Sequence, residues 1–82
     1  MSKKWPFGEF RTEDRTAAIA EAKEMHQVLQ GYVVVIQVTN RAHTGDLVDK
    51  YIVLRYENSR EYWHSKPVSR ALSWGVIHTI GR

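Results

Sequence analysis

The sequence predicts a small single-domain α+β fold of element order β-α-β-β-α-β, with a four-stranded antiparallel sheet and two helices on one face. Three observations predict it. Residues 13–30 carry an apolar stripe at helical spacing. Residues 32–39 and 47–57 are two apolar, mostly β-branched runs divided by a short polar stretch. Ser65-Lys66-Pro67 then opens a second helical stretch, for which Gly75 is a natural stop.

Each element has its own warrant. Residues 1–4 read as a loose tail. Residues 7–11 read as a short strand, weakened by Gly8. Glu13 and Asp14 place negative charge at the positive end of the first helix. Ala18, Ala22, Met25 and Leu29 form its inward stripe, and Gly31 ends it as a left-handed cap. Residues 32–39 follow as a strand that is apolar on both faces for much of its length. Residues 40–46 form a polar loop, and residues 47–57 return as the antiparallel partner. Residues 67–74 read as a short helix with Val68, Ala71 and Leu72 inward, and residues 76–80 as a last strand.

This order is the split βαβ or ferredoxin-like arrangement. The runner-up is α-β-β-β-α, which holds if residues 65–80 form one continuous helix. That layout resembles double-stranded-RNA-binding domains in element order and in Ser65-Lys66 before the last helix, without the lysine cluster of such domains. The preferred order is shared with the RNA-recognition fold. Its third-strand signature needs glycines and stacking rings, where this chain has Lys50-Tyr51-Ile52-Val53-Leu54-Arg55-Tyr56. The aliphatic positions argue against that binding mode.

Composition bounds the function. The chain has 82 residues, 43% hydrophobic and 26% charged, which disfavours disorder and fits one domain over residues 1–82. It has no cysteine, which excludes disulfides, thiolate zinc sites and a cysteine nucleophile. Cysteine-free usage in so small a domain points to a reducing cytoplasm. The basic start, Lys3 and Lys4, runs into Trp5-Pro6-Phe7-Gly8-Glu9 where a signal peptide needs an apolar stretch. No apolar run has the length of a membrane span. The net charge is +3, and the excess is greatest beyond residue 60, where Lys66, Arg70 and Arg82 face Glu61 alone. That asymmetry is mild beside the dense basic stripe of a phosphate-backbone binder.

Catalytic signatures are weak. His26, His43, His64 and His78 include no pair at helical metal-ligand spacing. Ser59, Ser65, Ser69 and Ser73 lie outside any Gly-x-Ser-x-Gly turn, and no glycine-rich phosphate loop is present. The expectation is a non-enzymatic protein with no metal, no cofactor and no small-molecule substrate.

A surface argument supplies the functional expectation. Period two sets Tyr32, Val34, Ile36 and Val38 on one face, taken here as the helix side. Val33, Val35, Tyr51 and Val53, with Arg55, then stand on the opposite, open face. Surplus apolar surface of this kind marks an interaction site. It predicts a protein partner, or a homodimer, on that face. Arg60, Tyr62, Trp63, His64, Lys66 and Arg70 form a second, basic and aromatic contact region. Size and composition resemble those of bacteriophage-encoded inhibitors or regulators of host complexes, including anti-defence proteins. The alternative expectation is nucleic-acid binding through the basic, aromatic C-terminal region. A third outcome is that Trp5 or Tyr62-Trp63 covers the face from within.

Overall fold

A computed structural model describes Trp5, residues 8–57 and residues 71–81. Along these residues run β1 (Glu9–Thr12), α1 (Arg15–Leu29), β2 (Val33–Arg41), β3 (Leu47–Arg55) and β4 (Ser73–Ile80). The result is a small α+β fold with one helix among the described residues and a four-stranded antiparallel sheet.

The α1 boundaries follow from side-chain chemistry. Thr12 Oγ1 accepts from the Asp14 N–H at 3.1 Å, and Asp14 Oδ1 accepts from the Thr16 N–H at 2.9 Å. Asp14 is therefore the N-cap, and both it and Glu13 precede the first turn rather than lie in it. Ala18, Ala22 and Met25 are fully buried, as their spacing predicts. At the other end the Gln30 N–H donates to the His26 carbonyl at 3.0 Å, and Gln30 already has φ of 61°. Gly31 follows at φ 84°, so the chain reverses through two left-handed residues.

The strand order is β1-β3-β2-β4, and every neighbouring pair is antiparallel. β2 and β3 pair over their full lengths, from Val33↔Arg55 to Arg41↔Leu47. The Ala42 N–H donates to the Asp46 carbonyl at 2.9 Å and closes the connecting loop. β4 runs along the other side of β2, with a register shift between Val35 and Ile36 that leaves Ile77 as the extra residue of a bulge.

Two expectations about the architecture are corrected. Ser73 and Trp74, assigned by sequence to the end of a second helix, open β4 instead. The same strand removes the α-β-β-β-α alternative, because residues 73–80 are extended. The order is also not ferredoxin-like. Two right-handed crossovers on one face would return the last strand to the flank of β1. Here β4 lies at the opposite edge, hydrogen-bonded to β2. Residues 67–70 of the expected second helix lie outside the described residues.

The facing of the sheet is reversed from expectation. Val33, Val35, Tyr51 and Val53 pack with Ala18, Ala22 and Met25, so theirs is the helix side. Val34, Ile36, Val38, Ile52 and Leu54 form a separate cluster on the other face, joined by Tyr32 and Ala71. The physical reason lies in the reversal after α1. Tyr32 stacks against Tyr56 with ring centroids 5.1 Å apart, and Val33 becomes the first residue turned toward α1. A shift of one residue exchanges the two faces of a strand. In a run such as Val33-Val34-Val35-Ile36 every position is apolar, so alternation carries no sign of which face is which.

Candidate functional site

The residues expected to form an open apolar face are sealed. Val33, Val35 and Val53 are 0% exposed, and Tyr51 is buried beside them. Trp5 joins the same cluster, and Phe10, Leu29, Ile77 and Ile80 pack at its margin. Coverage by Trp5 is one of the outcomes weighed from sequence, although residues 1–4 around it lie outside the described residues. The second face is closed as well, since Val34, Ile36, Val38, Ile52 and Leu54 are all buried. A partner surface at Val33, Val35, Tyr51 and Val53 is withdrawn on this ground.

Arg55, the fifth residue of that expected surface, sits at the inner end of the hairpin opposite Val33. Its Nη2 pairs with Glu57 Oε1 at 2.5 Å. Its Nε lies where a side chain on Gly31 would begin, 3.3 Å from an ideal Cβ. Around it Gly31, Tyr32, Arg55, Tyr56, Glu57 and Gly81 line an open cleft of about 320 Å³. That volume is at the lower limit of ligand pockets. The Glu57 carboxylate already holds the guanidinium, which leaves the cleft without a clear charge preference.

The described histidines lie in three different parts of the fold. His26 Nδ1 hydrogen-bonds the Gly31 carbonyl at 2.8 Å and so ties the helix end to the turn. His43 lies in the loop between β2 and β3, and His78 lies on β4. Among the described residues no group of His, Asp and Glu side chains is placed to hold a metal ion. No described helix is long and apolar enough to cross a membrane. Arg60, Tyr62, Trp63, His64, Lys66 and Arg70 lie outside the described residues.

The most distinctive exposed feature is the β4 edge. β4 is eight residues long and pairs with β2 on one side. Residues 71–80 contain no Asp, Glu, Lys, Arg or Pro. Trp74 is 44% exposed and Val76 is 42% exposed, and both lie on the face that carries Val38 and Ile36. Leu72, just before the strand, is 58% exposed and donates its N–H to the Thr39 carbonyl at 2.9 Å. Along the same strand, Gln37, Thr39, Ser73, Trp74, Gly75 and Ile77 line a shallow groove of about 210 Å³.

The opposite edge is built differently. β1 has four residues, and its outward positions Glu9 and Arg11 form an ion pair at 3.0 Å. Short length and charge are the usual protection of a sheet edge, and β4 has neither. Sequence reasoning placed Trp74 at the end of a short helix and so missed this surface. The signal for it was present in the uncharged run 71–80 and in the β-branched residues around Gly75. Comparison of the chain with known protein families, with curated proteins and with solved structures finds no match.

Proposed function

We propose that the protein is a non-enzymatic binding module that acts by protein–protein contact, with the β4 edge as its contact surface. One observation carries this reading: in an eight-residue edge strand without Asp, Glu, Lys or Arg, Trp74 and Val76 are each more than 40% exposed. An extended segment of another chain can add to such an edge, with backbone hydrogen bonds giving affinity and alternate side chains giving selectivity. Exposed tryptophan beside aliphatic residues adds the anchor chemistry typical of interface hot spots. Small size and the lack of cysteine support a setting inside a reducing compartment, as an inhibitor or regulator of a larger host complex of the phage anti-defence type.

The test compares wild type with Val76→Lys as bait in affinity capture, with both variants shown to be equally folded by circular dichroism. A lysine on the edge should abolish recovery of a protein that wild type retains. Identical recoveries from the two baits would remove the edge from the reading. A second reading, nucleic-acid binding, is motivated by the net charge of +3 and the basic C-terminal end. Fluorescence anisotropy with DNA and RNA separates it, since phosphate-driven binding must weaken steeply with salt.

A further inference from the structure

We draw no further inference here: the strongest candidate, the open cleft lined by Gly31, Tyr32, Arg55, Tyr56, Glu57 and Gly81 at the inner end of the hairpin, carries nothing, because Glu57 already holds the Arg55 guanidinium and nothing among the described residues selects one class of ligand over another.

Discussion

Residues 33–36 and 37–41 belong to one strand and share one partner, β3, in one unbroken register. Their surroundings differ sharply. Val33, Val34, Val35 and Ile36 are all buried, Val33 and Val35 against α1, and Val34 and Ile36 on the other face in one cluster with Ile52 and Leu54 of β3. Beyond Val38 the hairpin emerges from its cover and becomes polar. Thr39 Oγ1 donates to Asp49 Oδ1 at 2.6 Å, Arg41 Nη1 donates to the Gly45 carbonyl at 2.8 Å, and Thr44 Oγ1 donates to Asp46 Oδ2 at 3.0 Å. The ladder to β3 is the same in both halves, so that ladder does not decide burial. What decides it is how far the packed layers reach. Hydrophobic stabilisation is concentrated in the inner half, and the outer half is held mainly by exposed hydrogen bonds of modest net worth.

The largest test of this contrast is Ile36→Ala. It removes a fully buried side chain from the inner half and should destabilise by about 2–5 kcal/mol in urea unfolding. That is a large share of the stability of a domain this size. Met25→Ala, on the helix that covers the other face, should cost a similar ~2–5 kcal/mol. If Thr39→Val in the outer half cost as much as either, the contrast between the halves would be lost.

Gly81→Ala probes the closed end of the sheet, next to the Val33↔Ile80 pair. Gly81 has φ of 97°, and an added Cβ would stand 2.6 Å from the Gly31 carbonyl oxygen and 2.8 Å from the His26 ring. Strain at such a residue should cost about 1–3 kcal/mol, read as a lowered Tm. Asp14→Ala should cost about 1 kcal/mol by removing the N-cap of α1. Thr12 and Tyr51 are paired near that end of the helix, so this variant loosens cover at the border between the halves. The smallest effect belongs to Thr39→Val, within about 0.5 kcal/mol, since its hydroxyl bond is exposed. Amide hydrogen exchange sharpens the same contrast: residues 34–36 and 52–54 should exchange only on global unfolding, and residues 42–47 far sooner.

Much of the secondary structure was legible. The α1 stripe, the Gly31 reversal and the two long strands follow from spacing and β-branched content, and their ends differ from expectation by about two residues or fewer. The sheet order was not legible, because β1 pairs with β3 and β2 with β4 through contacts distant in sequence. Facing was not legible either, since an all-apolar run has no polar position to mark its outer side. Trp74 was misplaced because Ala71, Leu72 and Trp74 fit a helical turn as well as the approach to a strand. Of the expected contact residues, four of the hairpin set proved to be core, and Arg55 proved to be held by Glu57. The exposed β4 edge emerges only once the strand order is known, because the same uncharged run would be unremarkable in the middle of a sheet.

The strand order also sets a timetable. During synthesis β2 is made early, yet one of its two neighbours is the last strand to appear. Until β4 arrives, a run of bare valines and isoleucine waits beside an open ladder, and a nascent chain in that state is prone to pair with whatever extended peptide is nearest. Losing the final strand by truncation should therefore harm solubility well before it harms helix content.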